Sequence, residues 1–214
     1  MAEDLSDYRK SYEFSELTRE QSASNPFEQF QKWFEEVEQA KGIDEVNAMT
    51  VSTIGLDGFP KNRVVLLKSY DADGFIFYTN YDSEKGRALA ANPNICLSFF
   101  WPNLERQVII KGTASRVDEE TSTQYFHSRP EGSQLGAWVS PQSAIIPNRK
   151  FLEERQEKFE EEFKNQEIPK PPHWGGYRVA PNSFEFWQGR PNRLHDRLLY
   201  TLSESGWDCN RLAP

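Results

Sequence analysis

Hydrophobic positions along the chain follow two spacings. Phe27, Phe30, Phe34 and Val37 recur at helical intervals, so they share one face of a helix. Asn25-Pro26 stands before them, a capping side chain followed by a residue preset for the first helical turn. Gly42 supplies the stop. Residues 1–24 are polar, show no hydrophobic period, and read as a flexible N-terminal arm. From residue 47 the spacing changes. The β-rich runs AMTVSTI, RVVLLKSY, FIFYTN, ICLSFFW and RQVIIKGTASRV alternate with turn signals up to residue 117. Asp57-Gly58 and Asp73-Gly74 each fall between apolar runs, which is a strong hairpin signal. Together these runs predict an antiparallel sheet or barrel. One helix interrupts them, capped by Ser83 over EKGRALAAN and ended by Asn92-Pro93.

Beyond this region the pattern turns helical. DEETSTQYFHSR stops at Pro130, and Asn148 can cap RKFLEERQEKFEEEFKNQ, which IPKPP closes. Strand-like runs return as YRVA, SFEFWQG and RLLYTL, with a last turn at Ser205-Gly206. There is no internal repeat and no clear linker. Residues 25–214 therefore read as a single α+β domain, mainly β, built on a barrel with peripheral helices.

Charge narrows the possible partners. The net charge of the 214 residues is −8, and residues 1–45, with twelve acids and five bases, hold nearly all of it. The near-neutral remainder argues against a nucleic-acid partner, which needs a basic field over one face, but it leaves room for a basic pocket. Cys96 and Cys209 lack a paired metal-ligand spacing, and His127, His173 and His195 are far apart, so no metal site is expected. Two cysteines suit a reducing compartment. No apolar run approaches the ~18 residues of a membrane span. A cytoplasmic protein without a membrane partner is expected.

Four stretches carry candidate chemistry. At the Ser83 helix start, Lys85 and Arg87 suit a phosphate site, although a solvated surface helix is the simpler reading. In RVVLLK, strand alternation puts Arg63, Val65 and Leu67 on one face and Val64, Leu66 and Lys68 on the other, where the cations could simply snorkel. Tyr125, Arg129 and Ser133 are spaced by four. Pro130 and Gly132 break the helix, so Ser133 is offered from a loop or a new turn. Phenol, guanidinium and hydroxyl together form either a phosphate clamp or a surface cluster. In WQGRPNRLHDR, a strand would align Arg193, His195 and Arg197 on one face. Neighbouring like charges repel unless an anion compensates them. These stretches together point to one or two phosphorylated small ligands.

Several motifs then speak in fixed order: RVVLLK, FYTN, ERQV, YFHSRPxGSQLGAWVSxQS, WGGYRV, EFWQG, RLHDR and the terminal RLAP. From about Arg9 to Pro214 the chain closely resembles the pyridoxine (pyridoxamine) 5′-phosphate oxidase family. The resemblance implies a split β-barrel and an obligate homodimer, with FMN bound at the subunit interface. It implies oxidation of pyridoxine 5′-phosphate or pyridoxamine 5′-phosphate by O2 to pyridoxal 5′-phosphate, releasing H2O2, and NH3 from the amine, in vitamin B6 biosynthesis and salvage. By family pattern Arg63, Val64, Val65, Leu66, Leu67 and Lys68 line the cofactor site. Tyr78, Thr79, Lys85, Gln107, Gln142, Ser143, Trp187 and Arg197 join them, with Ser83 at the helix start. Lys68, Tyr125, Arg129 and Ser133 match the grip on the substrate phosphate. Arg193 and His195 match residues over the substrate ring and, with Arg197, form the expected catalytic group. The arm segment RKSY, with Arg9 and Tyr12, resembles a segment that closes over the site. One position departs: the family pattern has a basic residue before Lys85, and here Glu84 stands there. Two other readings of the same residues are a split-barrel flavin reductase with another substrate and a non-enzymatic pyridoxal phosphate carrier.

Overall fold

The computed structural model describes residues 3–7 and 10–214. Arg9 of the expected substrate set lies outside the described residues. The helices are α1 (Pro26–Ala40), α2 (Glu84–Ala91), α3 (Glu119–Ser128), α4 (Glu131–Val139) and α5 (Lys150–Glu162). The strands are β1 (Ala48–Ile54), β2 (Pro60–Leu66), β3 (Ser69–Asp71), β4 (Gly74–Asn80), β5 (Asn94–Trp101), β6 (Arg106–Arg116), β7 (Trp174–Gln188), β8 (Asp196–Ser203) and β9 (Gly206–Leu212). Hydrogen bonding orders the strands β2-β1-β5-β6-β7-β4-β3, with β8 on β7 and β9 on β8. Among the described residues no helix is long and apolar enough to cross a membrane.

The helix starts follow local chemistry. Asn25 Oδ1 accepts from the Phe27 amide at 2.9 Å, Ser83 Oγ from Gly86 at 3.2 Å and Asn148 Oδ1 from Phe151 at 3.1 Å. Each satisfies an amide that the helix leaves without an internal acceptor. Pro130 holds Arg129 extended (ψ 151°), which ends α3, and one residue later α4 begins. The hydrophobic period did not anticipate α4, whose sequence EGSQLGAWV buries only Leu135 and Val139.

Two strand readings are corrected. RVVLLKSY is not one strand. β2 ends at Leu66, Leu67 turns into the core, and the Lys68 amide donates to Ile76 O at 2.8 Å before β3 begins. The face alternation from Arg63 therefore stops at Leu66. Conversely, YRVA and SFEFWQG form the single strand β7. Trp174–Val179 pair with β4 and Ser183–Gln188 with β8, and Pro181, which has no N–H to give a ladder, falls where the partner changes.

The chain divides into two compact units. The terminal unit comprises the chain up to Met49, Leu97–Lys111 and Pro181–Pro214. Its core is aromatic: Phe30 lies 5.2 Å from Phe99, Trp33 meets Phe186 edge-on at 5.3 Å, and Phe27 meets Phe184 at 5.1 Å. Edge-to-face rings of this kind add to the burial of their large apolar area. The arm segment from Lys10 has no helix or strand, yet it is tied down within this unit. Glu105 accepts from the Phe14 amide at 3.0 Å and pairs with Lys10 at 2.9 Å, while Asp196 accepts from the Leu17 amide at 3.1 Å.

The central unit comprises Thr50–Cys96 and Gly112–Ala180. Here β4 runs antiparallel to β3 and β7. Gly74 takes φ 141° at the β3–β4 turn, and a Cβ there would lie 2.1 Å from Val179 O, so only glycine fits. Phe126, Leu135, Val139, Phe159, Ile168 and Trp174 pack α3, α4 and α5 together.

Candidate active site

A cavity of about 600 Å³ opens in the central unit. β2 contributes Val64, Val65 and Leu66, and Lys68 follows after the strand break. β4 contributes Tyr78 and Thr79, and the start of α2 contributes Lys85. The α3–α4 junction brings Tyr125, Arg129 and Ser133, and Gln142 arrives from the turn after α4. The bends at Leu67 and Pro130 are what turn these residues inward from distant parts of the sequence. Trp174, which the sequence reading missed, lines the same wall. Its ring stacks 5.5 Å from Tyr78, and Tyr78 stacks 3.8 Å from Tyr125. WGGYRV carried the only signal for it, a tryptophan opening a strand.

The cavity is cationic and buried at its base. The Lys85 side chain donates to Thr79 Oγ1 at 3.1 Å, Gln142 Oε1 at 3.1 Å and Ser83 Oγ at 3.4 Å, all neutral acceptors. Burial, reinforced by Arg63, lowers its pKa to about 8. The reading of this helix start as a solvated surface is thus overturned: Ser83 and Lys85 are both buried. Arg129 lies over the Trp174 ring at 4.6 Å, and its Nη1 is buried with no hydrogen-bond partner. α4 starts beside it without a side-chain cap, so amides of its first turn are open to an anion.

Four expected residues of this unit do not line the cavity. Leu67 and Ser83 are buried, and Ser83 instead caps α2. Ser143 takes a left-handed φ of 69° in the turn after Gln142. Arg63 also stands outside the lining. Its Nη1 donates to Thr53 Oγ1 at 2.8 Å, Lys61 O at 2.9 Å and Val51 O at 3.3 Å.

The terminal unit holds the remaining residues. His195 Nδ1 accepts from the Arg190 amide at 3.1 Å, which leaves the ring proton on Nε2. The Trp187 ring lies 4.6 Å away and Tyr12 5.8 Å. Burial and then the neighbouring Arg193 lower the His195 pKa, so the ring is neutral near pH 7. Gln107 is half-buried on β6. The expectation that Arg193, His195 and Arg197 share a strand face is wrong. Pro191–Arg193 form a 3-10 turn with Asn192 at φ 57° and Arg193 at φ 62°, and β8 begins only at Asp196. The protein also compensates part of the charge in this region itself. Arg197 pairs with Glu185 at 2.8 Å, and Arg190 and Arg211 flank Asp196 at 3.5 and 2.6 Å.

Residues 35–162 match the family described as pyridoxamine 5′-phosphate oxidase, and residues 174–214 match the pyridoxine 5′-phosphate oxidase C-terminal dimerisation region. The chain belongs to the pyridoxamine 5′-phosphate oxidase family. A pyridoxine/pyridoxamine 5′-phosphate oxidase of Flavobacterium johnsoniae is 62% identical over 98% of this chain and 99% of that protein. One from Christiangramia forsetii is 53% identical over both full lengths. Among solved structures, PhzG from Burkholderia lata, in complex with tetrahydrophenazine-1-carboxylic acid, superposes with a TM-score of 0.85 at 27% identity, covering 92% of this chain and 98% of its own. An FMN-binding protein of Nostoc punctiforme related to pyridoxamine 5′-phosphate oxidase shares the fold at a TM-score of 0.69 and 15% identity, over 90% and 100%. The fold is thus the mainly β split barrel of this family, and the family points to a flavin as cofactor. The residues present fit such a group. Lys85, a buried ammonium held only by neutral acceptors, is a donor suited to a flavin phosphate, and the orphaned Arg129 Nη1 and the uncapped α4 start leave donors for a second phosphate.

Proposed function

We propose that the protein is an FMN-dependent oxidase that converts pyridoxine 5′-phosphate or pyridoxamine 5′-phosphate to pyridoxal 5′-phosphate in vitamin B6 biosynthesis and salvage. The alcohol and O2 give the aldehyde and H2O2. The amine, O2 and water give the aldehyde, NH3 and H2O2. The observation that carries this reading is the gathering of Lys68, Lys85, Arg129 and Ser133 on one cavity in a chain 62% identical to an oxidase of that name.

FMN, when bound, supplies the two-electron acceptor and the route to O2. The residues of the chain supply the rest. Lys85, Thr79 and Gln142, with the edge of β2 and the free edge of Arg63 beside the α2 start, would hold the flavin. Lys68, Arg129, Ser133 and the amides of α4 would anchor the substrate phosphate, and Tyr125 would close its side. Anchoring the remote phosphate orients the carbon to be oxidised. The guanidinium groups of Arg193 and Arg197 would favour developing negative charge. His195, with its proton fixed on Nε2, would donate there to substrate. Tyr12 and Arg9 belong to the closing arm, and Gln107 and Trp187 to the flavin environment. The assembly is a homodimer, as the match to a dimerisation region supports, with FMN at the subunit interface and the enzyme in the cytoplasm. Enzymatic relatives of this similarity do not favour a carrier, and the phosphate clamp does not favour a general flavin reductase.

The test is direct. The purified protein should carry one FMN per chain and consume O2 on addition of either phosphorylated vitamer, forming H2O2, but not on addition of unphosphorylated pyridoxine. A flavin-free protein that binds pyridoxal 5′-phosphate without oxygen uptake would refute the reading.

A further inference from the structure

Glu84 is the first residue of α2, directly before Lys85, and its carboxylate faces the neighbouring cations. It lies 3.4 Å from Lys61 Nζ and 3.9 Å from Arg63 Nη2. Arg63 has little freedom to turn elsewhere, because three protein oxygens hold its Nη1. An anion must therefore approach its other edge, and Glu84 already sits there. Lys61 is shared with Asp57 at 2.9 Å, whereas Lys85 has only neutral acceptors and responds electrostatically to both Arg63 and Glu84. The start of α2 thus carries positive groups at 61, 63 and 85 and the helix dipole, with the Glu84 carboxylate set among them.

We infer that Glu84 is an affinity-determining residue: a built-in anion that competes with the phosphate of the cofactor for Arg63 and the α2 N-terminus. The inference rests on the proposed FMN site. It deepens that reading by assigning this chain a phosphate cradle that is partly self-neutralised. A bound phosphate must displace Glu84 from Arg63 or endure its repulsion, and either cost falls on the phosphate alone. The isoalloxazine and ribityl parts of a flavin do not sense it. About half of the Glu84 side chain is exposed, so solvent screens the effect to that of a surface charge pair.

The experiment compares FMN with riboflavin, which lacks the phosphate. Holoenzyme and its Glu84→Gln variant are dialysed to equilibrium against graded FMN or graded riboflavin, and bound flavin is measured per chain. Glutamine keeps the shape of the side chain and leaves Ser83 to cap the helix. The variant should bind FMN about three- to tenfold more tightly, with riboflavin unchanged, and the gain should shrink as salt is raised. Glu84→Lys should extend the gain in the same direction. An FMN affinity unchanged by Glu84→Gln, or an equal change for riboflavin, would overturn the inference while leaving the cofactor assignment standing. Wild-type protein that retains neither flavin would remove the cofactor assignment and this inference together.

Discussion

At Lys85 an ammonium is buried where only hydroxyl and amide oxygens receive it, and burial lowers its pKa from the usual 10.5 to about 8. Between these values the folded chain holds fewer protons than the unfolded chain. This residue therefore makes stability rise with pH above about 8, and below it the folded state bears the cost of the buried charge. A bound phosphate reverses the preference, since it favours the charged form. FMN affinity should accordingly be level from pH 7 to 8 and fall above pH 8. In Lys85→Met it should be weak and without that fall, as bound flavin measured across the range will show. Sequence alone marked Lys85 as a candidate phosphate-site cation at a helix start, but its burial involves Gln142, which is remote in the chain, as well as the nearby Thr79. RLHDR shows the opposite failure. Its positive charges are evident, yet Glu185, the carboxylate that balances Arg197, becomes its partner only through the β7–β8 register, and the turn at Asn192 and Arg193 takes Arg193 off the strand face.

At the scale of elements, α4 links the two ends of the cavity. Ser133 stands in its first turn, and its last turn leads to Gln142. The carbonyls of that last turn are satisfied from outside the helix. Arg155 of α5 donates to Trp138 O at 2.8 Å and Val139 O at 2.7 Å, and His173 Nε2 meets Ala137 O at 3.2 Å. A guanidinium fork on consecutive carbonyls replaces the glycine cap that α4 lacks. Arg155→Ala should cost roughly 2 kcal/mol of stability and should also weaken flavin binding, because Gln142 loses its fixed approach to Lys85. Arg155→Lys, with one point donor instead of a fork, should restore only part of either. Thermal melting and flavin retention measured together separate this from simple destabilisation, since a variant of equal melting loss in α1, such as Phe34→Ala, should keep its flavin. Elements with their own punctuation were legible in the sequence: α1, α2 and α5 through Asn25, Ser83 and Asn148, and β1 and β4 through their flanking turns. α4 was not, because Pro130 was read as an end and is also a beginning. β7 was not, because Pro181 and Asn182 look like a break inside one strand.

For the whole molecule, the motifs announced a split barrel, but nothing local revealed that β7 would pair with β6, β4 and β8 or that the chain would divide into two compact units. The pairing of β7 with β4 joins residues about a hundred positions apart, out of reach of any local pattern. The same reasoning governs stability. Exposed apolar side chains gather around the β1–β2 turn, with Leu56, Phe59 and Val64 each more than two-thirds exposed. Exposed apolar side chains of this kind suit association, and the match of residues 174–214 to a dimerisation region supports a second copy of the chain as partner. Folding then becomes linked to association and to cofactor. Anything that binds only the folded state stabilises it by mass action, by about 2.7 kcal/mol at a hundred times its Kd. The melting temperature should therefore rise with protein concentration, and it should rise again when FMN is added in excess. The second increment should be larger in Glu84→Gln than in the wild type, because the same excess of FMN is then a higher multiple of Kd. Scanning calorimetry over a tenfold range of chain concentration, with and without FMN, checks both dependences. A melting temperature indifferent to concentration would mean that the apolar β1–β2 turn needs no partner to fold. One indifferent to FMN would mean that the cations of the central cavity are already as stable empty as filled.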